Sequence, residues 1–237
     1  MFLPEIAIAA GSLTTALTLG SAALLPQSQL FGRTLIAGND PNEIALTYDD
    51  GPNDACTEPL LELLARHHTR ATFFMIGRYV RHSPTLARQV LAAGHLIGNH
   101  TVTHPWLAWQ SPARIREELR GCNQALEDAL GISIHYFRPP HGARRPYVLQ
   151  QAAELGLTTV QWNAMGKDWQ PILPAAIVAN IDRSLPRRRN RAANVLLHDG
   201  SHLVMGADRT ATIAATEILL TRAANTPTRF VTVDAWT

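Results

Sequence analysis

The chain has 237 residues, of which 46% are hydrophobic and 17% are charged, and its formal net charge is +2. The length fits one sizeable domain, and the composition excludes a disordered chain and gives no bias toward nucleic-acid binding. The exception is the basic run PRRRNR at 186–191, which indicates either a solvated loop or a contact for an anionic polymer or lipid.

The chain begins with an apolar segment. Residues 6–25 carry no charged side chain, and as a helix they would span about 30 Å, the thickness of a bilayer's hydrocarbon core. No Lys or Arg precedes them and the first positive side chain is Arg33, unlike an ordinary secretory signal. We therefore expect residues 1–25 to be a membrane anchor or an uncleaved signal, and the protein to be membrane-associated, secreted or periplasmic. A mis-chosen start codon or a buried helix is the alternative, and a cytoplasmic location goes with it.

From residue 43 onward, short β-rich runs alternate with amphipathic helical runs. The predicted strands are 43–48, 71–76, 95–98, 134–138, 157–162, 193–197 and 229–233. The predicted helices are 56–68, 84–93, 112–130, 146–155, 174–184 and 210–224. This alternation predicts an α/β fold in which parallel strands are joined by crossover helices. Residues 26–42 are interpreted as a linker or covering segment.

Several predicted helices have clear boundary residues. Ser83 and Ser111 each stand before a proline, which places a capping side chain ahead of the first helical position. A glycine follows three of the helices, at Gly94, Gly131 and Gly156. These signals support the helix limits given above.

The two cysteines, Cys56 and Cys122, lie far apart in the sequence. Two cysteines do not form a disulfide framework, and no Cys/His spacing indicates a thiolate zinc site. We expect two buried thiols or a single bridge.

Polar residues gather where the predicted strands end. Aspartates follow the first strand, two histidines follow the third, an arginine closes the fourth, an aspartate lies beyond the fifth and a histidine follows the sixth: Asp49, Asp50, His100, His104, Arg138, Asp168 and His198. The carboxyl ends of parallel barrel strands share one rim, where barrel active sites are built. The sequence therefore predicts that these residues meet.

The rim residues could hold a metal ion. His100 and His104 are four positions apart, so on a helical turn both imidazoles would reach one cation. A catalytic zinc site takes three protein ligands, commonly two histidines and a carboxylate. One aspartate of the DD pair would complete that set, and the other would act as a base on the metal-activated water. Arg138 is the expected partner of that base, although it could also serve only to cap the strand.

His198 ends an apolar strand and could protonate a leaving amine, because the pKa of histidine lies near working pH. Asp168 could bond the other ring nitrogen and raise that pKa. A histidine hydrogen-bonded only to backbone is the alternative. Trp169 offers a flat apolar face for a sugar or an acyl pocket, or else packs in the core.

With these residues assembled, the chain resembles the polysaccharide deacetylases that carry a NodB homology domain, carbohydrate esterase family 4. The resemblance covers residues 26–237, the expected catalytic domain, and implies a distorted (β/α) barrel of about seven parallel strands. TYDDG is similar to the family's TFDDG, which implies that Asp49 is the catalytic base and Asp50 a metal ligand. HTVTH is similar to the family's histidine pair, which implies that His100 and His104 complete a zinc site, with Co²⁺ or Ni²⁺ as alternatives.

The remaining motifs extend the resemblance. RPPHG, KDW and LLH are similar to family motifs in which an arginine orients the base, an aspartate tunes the acid and a histidine is the acid; these are Arg138, Asp168 and His198 here. The same motifs imply the substrate-binding residues Tyr48, Pro139, Pro140, His141, Gly142, Trp169 and Leu196. Three positions depart from the family pattern. They are Tyr48 for phenylalanine, His141 for tyrosine and Met165 for an aspartate.

The resemblance implies a metal-dependent hydrolase that removes N-linked acetyl groups from an N-acetylglucosamine glycan, such as peptidoglycan or a chitin-like polymer. An O-deacetylase of acetylated xylan and a deformylase of a lipid-linked amino sugar are the alternatives. A non-catalytic glycan-binding relative is more remote. A structural metal site would need a fourth ligand, for which His95 or His141 is the candidate. We expect an N-acetylated glycan and no nucleic acid as partner, with membrane association through residues 6–25. The sequence does not predict an oligomeric state.

Overall fold

The computed structural model of the protein describes residue 20 and residues 23–185 and 190–237. Most of the predicted apolar segment 6–25 and of the basic run 186–191 lies outside these residues. Within the described ranges, no helix has the length and hydrophobicity that crossing a bilayer requires.

Seven parallel strands form one curled sheet. They are β1 Glu43–Gly51, β2 Thr72–Met75, β3 Leu96–Asn99, β4 Tyr136–Phe137, β5 Thr158–Thr159, β6 Ala164–Met165 and β7 Ala193–His198. The order across the sheet is β5-β4-β3-β2-β1-β7-β6, and the sheet curls into a half-barrel. A short strand, β8 Arg229–Phe230, pairs with the first two residues of β1. The predicted α/β fold, a distorted barrel of about seven parallel strands, is confirmed.

The central strand, β1, determines where the polar residues emerge. It pairs with β2 from Thr47 onward and with β7 from Ile44 onward, so it has a parallel neighbour on each side. Its residues from position 45 onward are buried. A strand covered on both faces reads as a continuous apolar run, as ALTY does at 45–48. The two aspartates therefore leave the core together at its carboxyl end.

Helices cover the outside of the sheet. They are α1 Thr57–Arg66, α2 Gly77–His82, α3 Pro84–Ala92, α4 Pro112–Leu130, α5 Pro146–Glu154, α6 Pro174–Ser184 and α7 Thr210–Ala223. The longest, α4, buries Ile115, Leu119, Cys122 and Leu126, a spacing of three to four residues that places them on one face. This apolar face packs in the main hydrophobic core.

The structure differs from the predicted elements in two places. The strand β6 and the helix α2 are not predicted from the sequence. β6 is only two residues long, and α2 begins at a glycine immediately after β2, so neither has a visible periodicity. The predicted strands 134–138, 157–162 and 229–233 shorten to two residues each, because a curling sheet pairs only the parts of those runs that stay in register.

Both cysteines are free and buried, which confirms the thiol alternative and excludes a bridge. Burial raises the pKa of the Cys122 thiol to about 12, so this group stays protonated at neutral pH.

The predicted caps divide into one that forms and one that does not. Ser111 Oγ accepts a hydrogen bond from Arg114 N at the start of α4, at 3.2 Å. Ser83 makes no such bond at the start of α3, and its Oγ donates instead to Asp54 Oδ1 at 2.7 Å. The three predicted terminal glycines all have positive φ, as helix-ending glycines do.

Replacing Ser111 with alanine should lower the free energy of unfolding by about 1 kcal/mol, because a helix N–H loses its acceptor. Ser83→Ala is the matched control, since its side chain caps no helix, and it should cost less than about 0.5 kcal/mol. Urea unfolding of both variants measures the difference. Equal losses would contradict the distinction between the two caps.

Candidate active site

A cleft of about 520 Å³ opens at the carboxyl ends of the strands. Five of the seven predicted rim residues line it, and so does Trp169; the five are Asp49, Asp50, His100, His104 and His198. The structure therefore brings together residues from the ends of β1, β3 and β7. This is the edge where open and barrel-like α/β folds place their ligands.

A β-bulge at Asp50 turns both aspartates toward the cleft. The register of β1 against β2 shifts between Asp49 and Gly51, and Asp50 has a left-handed backbone, with φ of 71°. Successive side chains of a regular strand point to opposite faces, and the bulge removes that alternation. The cause thus lies inside the strand and not in the Gly51-Pro52 turn that follows it.

Asp50, His100 and His104 form a set that could hold a metal ion. Asp50 Oδ1 lies 3.2 Å from His104 Nε2 and 3.5 Å from His100 Nε2. This oxygen is buried and has no hydrogen-bond partner among the described residues. A buried, unpartnered carboxylate oxygen between two imidazole nitrogens needs a cation. The donor set of two histidines and one carboxylate therefore fits a divalent metal ion.

The protonation states also suit a metal site. His100 Nδ1 lies 2.8 Å from the carbonyl oxygen of Arg138 and donates to it, which leaves Nε2 facing Asp50. Burial lowers the pKa of His104 to about 2, which keeps this imidazole neutral. Burial would raise the pKa of Asp50, but the His202 hydrogen bond and the neighbouring histidines outweigh it and lower the pKa. Neutral imidazoles and an ionised carboxylate are the ligand forms that bind metals.

The loop that carries the two histidines is not the predicted helical turn. Residues 100–106 are irregular, and Thr101 and His104 have left-handed backbones, with φ of 65° and 61°. Thr101 N donates to Asn99 Oδ1, and His104 N donates to Thr101 Oγ1. The four-residue spacing therefore works through a tight loop held by its own side chains.

Glu118, on α4, fixes this loop from behind. Its carboxylate accepts hydrogen bonds from the backbone N–H groups of Val102 and Thr103, both at 2.8 Å, and pairs with Arg114 at 2.7 Å. The side chain is buried. Sequence reasoning missed this residue. The available signal was an acidic residue next to Leu119 on the apolar face of a helix, where a carboxylate requires partners.

Asp49 is held by the buried guanidinium of Arg138. Arg138 Nη1 donates to Asp49 Oδ1 at 2.8 Å and to Thr47 Oγ1 at 2.7 Å, and the guanidinium lies 4.2 Å from the centre of the Phe74 ring. Arg138 is fully buried. This contact fixes the Asp49 carboxylate, and the structure places the two residues as the sequence predicts.

His198 and Asp168 form a second pair across the cleft. Asp168 Oδ1 accepts from His198 Nδ1 at 2.9 Å, and its other oxygen accepts from the His198 backbone and from Thr212 Oγ1. Burial opposes a charge on His198, but Asp168 overcomes this effect and, with Asp50 and Asp49, raises the pKa of His198 to about 9. His198 is therefore protonated at neutral pH, the state that a proton donor needs.

The predicted substrate-binding residues divide into two groups. His141, Trp169 and Leu196 line the cleft, and the Trp169 ring lies 5.5 Å from that of His198. Tyr48 does not line the cleft: it is fully buried in the core, where its hydroxyl hydrogen-bonds with Thr216 Oγ1 at 2.9 Å. As the strand neighbour of Asp49, Tyr48 points to the opposite face.

The RPPHG motif shapes the wall without exposing most of its own side chains. Pro139, Pro140 and Gly142 are buried and are not among the residues that line the cleft, so their contact with substrate stays a prediction. The Gly142 carbonyl accepts hydrogen bonds from Arg144 and Gln161, both at 3.1 Å. These residues support the loop on which His141 reaches the cleft.

One wall of the cleft comes from the end of the predicted apolar segment 6–25 and the start of the segment 26–42, interpreted as a linker or covering segment. Leu24 and Pro26 line the cleft, and buried Arg144 holds this segment by donating to the carbonyls of Leu25 at 2.8 Å and Ser28 at 2.6 Å. No sequence signal predicts this role for Arg144, which stands two positions after the RPPHG motif. His202 was also missed, although it donates its backbone N–H to Asp50 Oδ2 at 3.2 Å.

The chain is similar to known proteins in sequence and in structure. A family model described as "Polysaccharide deacetylase" matches residues 37–160. The chitooligosaccharide deacetylase of Rhizobium leguminosarum bv. trifolii is 39% identical over 69% of this chain and 74% of that protein. The peptidoglycan-N-acetylglucosamine deacetylase of Bacillus cereus is 35% identical over 83% of this chain and 88% of that protein. A family 4 carbohydrate esterase from Streptomyces lividans, solved with acetate, superposes with a TM-score of 0.70 at 29% identity, covering 81% of this chain and 91% of that one.

Glu118→Ala should weaken both the fold and the histidine loop. Two partly buried N–H groups lose their acceptor, so we expect a loss of about 2 kcal/mol in the free energy of unfolding and weaker binding of Zn²⁺. Glu117→Ala is the matched control, because that exposed neighbour also pairs with Arg114, at 2.9 Å, and should cost under about 0.5 kcal/mol. Urea unfolding and zinc titration measure the effects. Unchanged zinc affinity in folded Glu118→Ala would contradict the role given to this residue.

Proposed function

Because the chain belongs to the polysaccharide deacetylase family, we propose that it hydrolyses the acetamide of N-acetylglucosamine residues in a chitin-like or peptidoglycan glycan and releases acetate. The observation that carries this proposal is the division of roles between the two adjacent aspartates. Asp49 is bound to Arg138, and Asp50 faces two histidines. The first arrangement suits a base and the second a metal ligand.

We propose a divalent metal ion on Asp50, His100 and His104. Zn²⁺ is the first candidate, because two histidines and one carboxylate are a common ligand set of catalytic zinc sites, and Co²⁺ and Ni²⁺ are alternatives. When bound, such an ion acidifies a coordinated water and polarises the substrate carbonyl.

The side chains of the cleft supply the proton transfers. Asp49 takes a proton from the attacking water, and Arg138 keeps this carboxylate ionised and oriented. As the water oxygen bonds to the acetamide carbon, the carbon–nitrogen bond breaks and His198 donates its proton to the departing amine. Asp168 holds the His198 ring and favours its protonated form. The products are the free amino sugar and acetate.

The apolar side chains of the cleft suit the sugar and the acetyl group. Trp169 is 46% exposed beside His198 and offers a ring face on which a pyranose can stack. Leu196 is almost fully buried and lines the cleft, where it can contact the acetyl methyl. Leu24 and Leu203 also line the cleft and are exposed, which suits the alternative of a lipid-linked amino sugar.

A substrate panel tests the reaction. We expect acetate from N-acetylchitooligosaccharides or peptidoglycan fragments, and no comparable release of acetate from acetylated xylan or formate from N-formylated sugars.

Asp49→Asn should lower kcat by about 10³-fold, because the base is removed, while Zn²⁺ stays bound. The exposed Asp128→Asn is the matched control and should keep full turnover. Near-normal activity of Asp49→Asn, or preferential release from the O-acetyl or N-formyl substrates, would contradict the proposal.

The pH dependence of kcat/KM tests the acid. Its pKa of about 9 keeps His198 protonated below that pH, so activity should fall as pH rises through this value. Asp168→Asn removes the carboxylate that raises this pKa, and the alkaline limb should move down by about one pH unit or more. A bound cation would move the alkaline limb to lower pH in the unaltered protein and in Asp168→Asn alike. The measurement is therefore the difference in limb position between these two proteins. Asp182→Asn is the control, because Asp182 forms a surface ion pair with Arg222. An unmoved limb in Asp168→Asn would exclude His198 as the titrating acid.

A further inference from the structure

Three histidines from three different loops meet at the mouth of the cleft. His104 follows β3, His141 follows β4 and His202 follows β7. One ring nitrogen from each lies within 4.8 Å of the others. We propose that these residues form an outer set of cation ligands, distinct from Asp50, His100 and His104 except for the shared His104. The outer set would bind a divalent transition-metal ion such as Zn²⁺, Ni²⁺ or Cu²⁺, for which imidazole is the suitable ligand.

The three ring centres lie close together, but the planes of His104 and His202 are nearly parallel, 18° apart, and must tilt before both nitrogens face one ion. The His104 ring centre lies 4.2 Å from that of His202 and 4.6 Å from that of His141. Metal–nitrogen bonds of about 2.0 Å require nitrogen separations of about 3.3 Å in a tetrahedral site, so nitrogens up to 4.8 Å apart must approach by up to about 1.5 Å. His202 can make this movement, because its side chain is 34% exposed. The stacked rings of His104 and His202 tilt apart as it does so.

His141 is already placed for this role. Its backbone is left-handed, with φ of 58°, and its ring stacks on Trp106 with centres 3.9 Å apart and planes 13° apart. The ring is thereby held at the cleft mouth beside His104. A left-handed histidine costs conformational energy, so the stacking contact must maintain it.

The shared histidine makes the two sets successive positions for one ion. His104 Nε2 faces Asp50, and an ion that binds this nitrogen in the outer set cannot share it with an ion in the inner set. An ion in the outer set would keep His104 and exchange His141 and His202 for Asp50 and His100 as it moves inward. Asp50 and His100 are only 3% and 1% exposed, whereas His141 and His202 are partly exposed. An ion from solvent therefore meets the outer set first, and we infer that this set captures the ion for the inner one.

A variant that lacks the inner ligands tests the outer set. Asp50→Asn with His100→Gln should stay folded by circular dichroism and still bind one Cu²⁺ per chain, with nitrogen splitting in its electron paramagnetic resonance spectrum. Adding His141→Ala and His202→Ala should abolish this binding. Adding instead His68→Ala and His82→Ala, two exposed histidines elsewhere, should leave it intact. A folded inner-site variant that binds no Cu²⁺, or binding that survives loss of His141 and His202, would overturn the proposal.

The capture role has its own measurement. Metal-free protein should take up Co²⁺ at least about tenfold faster than its His141→Ala/His202→Ala variant, followed by the visible absorption of bound Co²⁺. Equal uptake rates would overturn this role. The outer set shares only His104 with the proposed metal site, whereas its capture role rests on the whole of that site. If the unaltered protein deacetylates but the inner-site variant binds no ion, the outer set alone is refuted. If the unaltered protein binds no divalent ion at all, the proposed function fails as well.

Discussion

The left-handed backbone at Asp50 is the constraint on which the site depends. It interrupts the alternation of β1 and sends two consecutive carboxylates to one side of the sheet. The surrounding chain packs closely against Asp50. A Cβ on Gly200 would lie 2.1 Å from the backbone oxygen of Asp50, so this neighbour must be glycine. Strain of this kind persists only where the surrounding packing enforces it, and here it separates a base from a metal ligand.

Charge compensation explains why such a polar cleft can sit on a buried sheet. Burying a charge is costly unless it is paired and hydrogen-bonded. Arg138 compensates Asp49, and Asp168 compensates His198, each through bonds of 2.9 Å or less. Asp50 Oδ1 and Asp199 Oδ1 are the carboxylate oxygens that are buried without a hydrogen bond in the described part of the chain, and Asp50 Oδ1 lies within 3.5 Å of two imidazole nitrogens. The position of the uncompensated charge is therefore also the position where a cation would bind.

The helices and loops outside the sheet hold the functional groups in place. Glu118 reaches from α4 to fix the histidine loop, and Arg144 fixes the segment that supplies Leu24 to the cleft. Neither residue faces the substrate, and each bonds backbone groups of an irregular segment. Irregular backbone has no partners from a helix or a sheet, so buried side chains must supply them. The positions of the functional groups thus depend on residues that take no part in the proposed reaction.

The sequence by itself determined the α/β class, the shared rim and most of the chemical residues, because strand ends, helix caps and short polar motifs are local signals. Asp49, Asp50, His100, His104 and His198 all lie where the motifs predict. Only the tertiary structure decided that Tyr48 belongs to the core, that a bulge rather than a turn directs the aspartates, and that Glu118, Arg144 and His202 support the site. These outcomes depend on which face of a strand is turned inward and on contacts between distant segments. Local residue patterns predict neither of these.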